Sequence, residues 1–196
     1  MKRNIFISGT ILCALLFGCN SNQKEKAKAE SYESVKAITI DPVERGGYLV
    51  NSIGCHDCHS PKKFTEKGME LDTDRLLSGH PADEKLPPYD PKTAQGYILF
   101  SMDLTSATGP WGTSFSANLT PDASGIGSWS EEQFVRAIRE GLSKGLVGSR
   151  PLLPPMPWEQ YRNLSDDDLK AIFAYLKSIK PIDNVVPSPL PPKTHS

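Results

Sequence analysis

The chain has 196 residues, of which 38% are hydrophobic and 23% charged, and its formal net charge is −1. This is the composition of one globular domain with appendages, and the near-neutral balance argues against nucleic acid or another strongly charged partner. No internal repeat occurs and the CxxC motif appears once, which argues against an array of several centres; seventeen prolines point to few strands and many fixed turns.

Lys2 and Arg3 precede an apolar run from about Ile5 to Phe17. The run is short for a membrane span and reads as an export signal. Leu16-Phe17-Gly18-Cys19 resembles the bacterial lipoprotein cleavage site. The resemblance implies that residues 1–18 are a signal peptide and that Cys19 carries lipid as the mature N-terminus. The other reading is a plain secretory signal cut nearby without lipid. Several acyl chains on one residue would anchor firmly where one chain is marginal. Asn20, rather than Asp, follows Cys19 and hints at the outer membrane, with the inner membrane left open. Once Cys13 leaves with the signal and Cys19 is acylated, only Cys55 and Cys58 remain. Two cysteines three apart make no disulfide framework.

Residues 19–40 are polar, with QKEKAKAE in their middle, and read as a flexible tether with a reach of about 25 Å; a helical tether is the alternative. The first helix is announced by Asp41 as cap, Pro42 in the first turn and Glu44 completing a capping box. Val43, Gly47 and Val50, widened by Leu49 and Ile53, form its expected apolar stripe. Gly46 and Gly47 are poor helix formers, so another backbone is expected to approach them closely. Gly54 can end the helix and delivers the chain into Cys55.

GCHDCHSPK, from Gly54 to Lys62, carries the chemistry. C-x-x-C-H is the attachment signature of c-type haem. One helical turn presents Cys55 and Cys58 to two vinyl groups, and the histidine behind them, His59, becomes an iron ligand at high effective concentration. His56 and Asp57 are then spacers, with His56 at the surface. A chance match, a redox dithiol and a zinc site compete with this reading. The dithiol lacks a thioredoxin-like alternation of strands and helices. Zinc lacks ligands, because only His80 and His195 remain as distant histidines.

Residues 60–128 form a long irregular segment in which a short strand or helical turn is the most that is expected, and a loop this long must wrap something. Two helices follow with clear signals. Ser130-Glu131-Glu132-Gln133 is a capping box, with Phe134, Ala137 and Ile138 on one face and Gly141 as a stop. Ser165 followed by Asp166, Asp167 and Asp168 starts the last helix, with Leu169, Ile172, Phe173 and Leu176 as its stripe and Pro181 beyond its end. Residues 185–196 continue as an extended proline-rich tail.

Three segments carry a wider resemblance: ERGGYLVNSIGCHDCHSPK, ANLTPDASGIGSWSEEQFVRAIREG and LLPPMPWEQYRNLSDDDLKAIFAYLKSIKPIDN. Together they resemble the class I cytochrome c family, most of all the mono-haem cytochrome c domains associated with bacterial alcohol and aldehyde dehydrogenases. The resemblance implies an all-α fold over residues 41–184, built around one covalent haem c, with a long irregular middle loop. It implies first and last helices that cross, a glycine of one meeting an aromatic of the other; Gly47 and Tyr175 suit those roles. It also implies that Trp129 bonds a haem propionate, against a plain buried aromatic, with Trp111 as the other indole, and that Asn118 and Thr120 line the same edge. The carbonyl partner of His59 is left open among the surroundings of Pro121, Pro61 and Pro81.

The sixth iron ligand has candidates in Met69, Met102, Met156, His80 and His195. Met156 sits in a loop stiffened by Pro151, Pro154, Pro155 and Pro157, matches the family's distal methionine, and as a soft thioether would raise the potential; His80 is the runner-up. The expected function is a lipid-anchored one-electron carrier on the periplasmic side of a bacterial envelope. It would serve a dehydrogenase, an oxidase or another cytochrome, and would be no enzyme itself, though it could be a subunit of an oxidoreductase complex. The alternative is a peroxidase-like enzyme or gas sensor with an open sixth position.

Overall fold

The computed structural model describes residues 40–193; the signal, the tether up to Thr39, Cys19 and His195 lie outside the described residues. Helix α1, Pro42–Ser52, begins where Asp41 Oδ1 accepts the backbone N–H groups of Val43 (2.7 Å) and Glu44 (3.3 Å). The short helix α2, Cys55–His59, follows at once. Between α2 and the last three α-helices lie two antiparallel sheets. The first pairs β1, Lys62–Thr65, with β2, Gly68–Leu71. After helix α3, Pro91–Ala94, the second runs in the order β3, Leu99–Phe100, β4, Ser106–Gly109, and β5, Gly112–Phe115. Helices α4, Glu131–Glu140, α5, Trp158–Tyr161, and α6, Asp166–Ser178, complete the order. Among the described residues no helix is long and apolar enough to cross a membrane.

The expected all-α architecture therefore does not hold: residues 62–115 contain five strands in two antiparallel sheets. These strands are two to four residues long, and β4 (SATG) and β5 (GTSF) are small residues buried on both faces except for the half-buried Phe115, which gives no hydrophobic alternation to read. Hydroxyls take the place of an apolar pattern. Thr108 Oγ1 and Thr113 Oγ1 meet at 2.8 Å, and Ser114 Oγ lies 3.2 Å from the Ala107 carbonyl oxygen. The outer edge of β5 is covered by the C-terminal segment, where Thr113 and Leu190 exchange both backbone hydrogen bonds at 2.9 Å. Covering an edge in this way removes a template for unwanted pairing.

The helical elements follow their expected signals. Ser130 Oγ caps α4 by accepting the Gln133 N–H at 3.1 Å, and Gly141 ends it in the left-handed region. Ser165 Oγ caps α6 by accepting from Asp168 N–H at 3.1 Å. Leu49 and Val50 of α1 pack with Phe134 of α4, Ile172, Phe173 and Leu176 of α6, and with Leu77 and Ile126, into one core. Each such buried aliphatic contributes about 1.5–3 kcal/mol.

The α1 stripe is rotated from the expected one. Gly46, Leu49 and Val50 are buried, whereas Val43 is 39% exposed. The cause is the crossing of α1 over α6. A Cβ on Gly46 would lie 1.9 Å from the Ala171 carbonyl oxygen, and one on Gly47 would lie 3.0 Å from the Tyr175 ring. Gly47 and Tyr175 thus meet as the family resemblance implies, and Gly46 makes the tighter, backbone-to-backbone approach. Arg45 Nε to Asp168 Oδ1, at 2.8 Å, ties the two helices beside the crossing.

Gly46→Ala is expected to destabilise the folded protein by at least the upper end of the range of about 1–3 kcal/mol for overpacking, because the obstacle is backbone rather than a mobile side chain. A thermal melt followed by circular dichroism checks this. A Tm within a degree or two of the parent would contradict the close approach.

Candidate functional site

The site begins at Gly54, whose φ of 87° turns the chain out of α1 and into α2. A side chain there would be strained, and its Cβ would reach within 3.0 Å of Asp57 Oδ2. The single turn of α2 holds Cys55 and Cys58 one turn apart, on one side of the helix. Both are free thiols and both are half-buried. Burial pushes Cys55 up to about 11 and raises Cys58 as well. Such thiols stay protonated at neutral pH, which argues against a reactive thiolate of the dithiol redox kind. Among the described residues no three His, Cys, Asp or Glu side chains gather to hold a metal ion.

His59 closes the turn. Its Nδ1 lies 2.8 Å from the carbonyl oxygen of Ala117, so Nδ1 carries the proton and donates, and Nε2 keeps its lone pair free. Burial pushes the His59 pKa down, which favours this neutral form. The carbonyl partner that the sequence left open is thus Ala117, not a group next to Pro61, Pro81 or Pro121. Ala117 is brought there by a second run of chain. Gly79 N–H donates to the His59 carbonyl at 2.8 Å, His80 N–H to Ser116 O at 2.9 Å, and Leu119 N–H to Leu77 O at 2.8 Å. Residues 77–80 and 116–119 therefore run side by side against the end of α2. A histidine with one ring nitrogen fixed by a carbonyl and the other free is oriented as metal-ligating histidines are. Free, adjacent, protonated thiols followed by such a histidine fit a porphyrin held by two thioethers.

His56 is half-buried rather than at the surface, with Nδ1 2.8 Å from Ser60 Oγ. His80 is fully buried and follows Gly79 on the side of the His59 carbonyl. Its Nδ1 meets Thr105 Oγ1 at 2.8 Å, and Thr105 Oγ1 donates to Asp103 Oδ2 at 2.7 Å.

Met156 lies in the loop between α4 and α5. It is half-buried, against 45% exposure for Met69 on β2 and 72% for Met102. With Leu152, Pro154, Pro155 and Trp158 it lines a cavity of about 190 Å³. The loop is pinned at both ends. Leu152 N–H donates to Gly141 O at 2.7 Å, Ser114 Oγ donates to Pro154 O at 2.6 Å, and the Trp158 ring lies over Gly141. Sequence reading missed Tyr161. Its hydroxyl donates to the Ile53 carbonyl at 2.7 Å, two residues before Cys55. Burial, then Cys55 and Cys58, push this hydroxyl up to about 12. Tyr161 therefore brings the Met156 loop and the cysteine turn together, and the only sequence signal for it is an aromatic three residues after Trp158.

Trp129 is half-buried against the core. Trp111, not Trp129, holds a buried indole N–H without a protein partner among the described residues. Asn118 and Thr120 are buried and spend their polar atoms on the protein. Asn118 Nδ2 donates to Ile182 O at 2.8 Å, and Asn118 Oδ1 accepts from Thr120 N–H at 2.9 Å. Together they clamp the C-terminal segment.

No family model matches the chain. Curated proteins do. The chain is 32% identical to the gluconate 2-dehydrogenase cytochrome c subunit of Pantoea cypripedii over 155 residues, which is 76% of this chain and 27% of that protein. It is 28% identical to the fructose dehydrogenase cytochrome subunit of Gluconobacter japonicus over 186 residues, 93% of this chain and 30% of that protein. It is 39% identical to the cytochrome c subunit of the quinone alcohol dehydrogenase of Gluconobacter oxydans over 75 residues, 37% of this chain and 15% of that protein. The chain spans less than a third of the length of these relatives. With its CxxCH turn and oriented histidine, the protein is a relative of the cytochrome c subunits of bacterial dehydrogenases.

Proposed function

We propose that the protein is a mono-haem, lipid-anchored c-type cytochrome that passes single electrons from a dehydrogenase to an acceptor on the periplasmic side of the envelope. The observation that carries this reading is the His59 Nδ1–Ala117 O bond behind two free, adjacent thiols. Cys55 and Cys58 would hold the porphyrin by two thioether bonds, and His59 Nε2 and Met156 Sδ would be the iron ligands. A haem so ligated supplies one-electron transfer with no open iron position for substrate. The relatives' names support a dehydrogenase as partner. The N-terminal Leu-Phe-Gly-Cys sequence supports lipid on Cys19, and with it attachment to the inner or outer membrane.

Matured protein is expected to exceed its polypeptide mass by one haem and to show a methionine-to-iron band in the far red when oxidised. Met156→His should lose that band while keeping the haem. Rapid carbon monoxide binding by the reduced parent would favour the open-site enzyme or sensor instead. Tyr161→Phe should weaken the far-red band, raise affinity for added imidazole about tenfold, and cost about 1–3 kcal/mol by leaving the Ile53 carbonyl unpaired. Imidazole titration with a thermal melt tests this, and unchanged ligand affinity would confine Tyr161 to the fold. Cys19→Ser should move the protein from the membrane to the soluble fraction, as immunoblotting of fractionated cells would show.

A further inference from the structure

We propose that Lys62 is a positioning residue that holds a fixed positive charge at the C-terminal end of α2 and thereby raises the potential of a haem attached there. The inference rests on the haem reading above. Lys62 Nζ donates to three carbonyl oxygens: Asp57 O at 2.6 Å, Ser60 O at 3.0 Å and Asp103 O at 2.7 Å. An ammonium has three N–H donors, so the group is fully satisfied without any carboxylate. Among the described residues it has no ion pair within 4.0 Å. Its neighbour Lys63 is different: that ammonium is 54% exposed and pairs with Asp72 at 2.7 Å.

The carbonyls that Lys62 holds are those of the attachment turn. Asp57 lies between Cys55 and Cys58, and Ser60 follows His59. Among the described residues neither accepts a backbone N–H, and both lie at the negative end of a helix, where a cation is favoured. The third, Asp103, belongs to the loop between β3 and β4, so one side chain ties the sheet insert to the turn that carries the cysteines. Because Lys62 is half-buried, its field is screened less than that of a surface lysine. Haem iron gains one positive charge on oxidation, and a fixed cation beside its attachment turn favours the reduced state.

The test compares the haem-loaded full-length protein with Lys62→Met, Lys62→Gln and Lys62→Arg, with Lys63→Met as a control. Midpoint potential, the far-red band and Tm are read for each. Lys62→Met and Lys62→Gln should shift the reduction equilibrium three- to tenfold toward the oxidised form, tenfold being 59 mV for one electron, with the band retained. Lys62→Arg and Lys63→Met should stay within twofold of the parent. A purely structural role would lower Tm and leave the potential where it was, and that result overturns the proposal. An equal drop in Lys62→Arg, or a drop that comes with loss of the band, overturns it as well. Failure of the haem reading would look different, as a parent protein without covalent haem.

Discussion

The structure depends on how closely α1 approaches α6. At Gly46 a single methyl group would sit inside the Ala171 carbonyl, so the helices reach this separation only because two side chains are missing. That separation lets Leu49, Val50, Ile172, Phe173 and Leu176 close one core. It also fixes the end of α1 in space, and with it Gly54 and the turn of Cys55, Cys58 and His59. The chemistry-bearing turn has only five residues and no buried side chain of its own, so its position is borrowed from the helix before it.

The rest of the site is held from three directions. From behind, residues 77–80 and 116–119 present Gly79 N–H and Ala117 O to the two polar ends of His59. From the side, Lys62 gathers the carbonyls of the turn and of the insert. From the last third of the chain, Tyr161 ties the segment after Met156 to Ile53. The middle region that looked like a long loop contains two small sheets, and the outer edge of β5 is sealed by Leu190. Buried hydroxyl pairs such as Thr108 with Thr113 cost little there because each polar group is answered by another.

The relatives are subunits of dehydrogenases that act on unlike substrates: gluconate, fructose and alcohol. What they have in common is that each is named as a cytochrome subunit, and in c-type cytochromes the protein tunes the cofactor through ligands, burial and nearby charge. In this chain backbone carbonyls fix both a histidine and a lysine next to the cysteine turn: Ala117 O holds His59, and three carbonyls hold Lys62.

Elements whose signals are local were legible in the amino-acid order alone. Asp41, Ser130 and Ser165 cap where their side chains can reach an N–H two or three residues ahead, and the C-x-x-C-H spacing places two thiols and an imidazole on one helical turn. The amino-acid order also marked Gly47 against Tyr175, through the resemblance rather than through spacing. Tertiary structure decided the remainder, because those contacts join residues far apart in the chain. The five short strands carry too few residues for a periodic signal, and the burial of Gly46 instead of Val43 depends on the angle at which α6 crosses. Ala117 meets His59 across 58 positions and Tyr161 meets Ile53 across 108, through a backbone carbonyl that is the same for any residue type. A carbonyl leaves no mark in the amino-acid sequence, so only the folded chain could show which one is used.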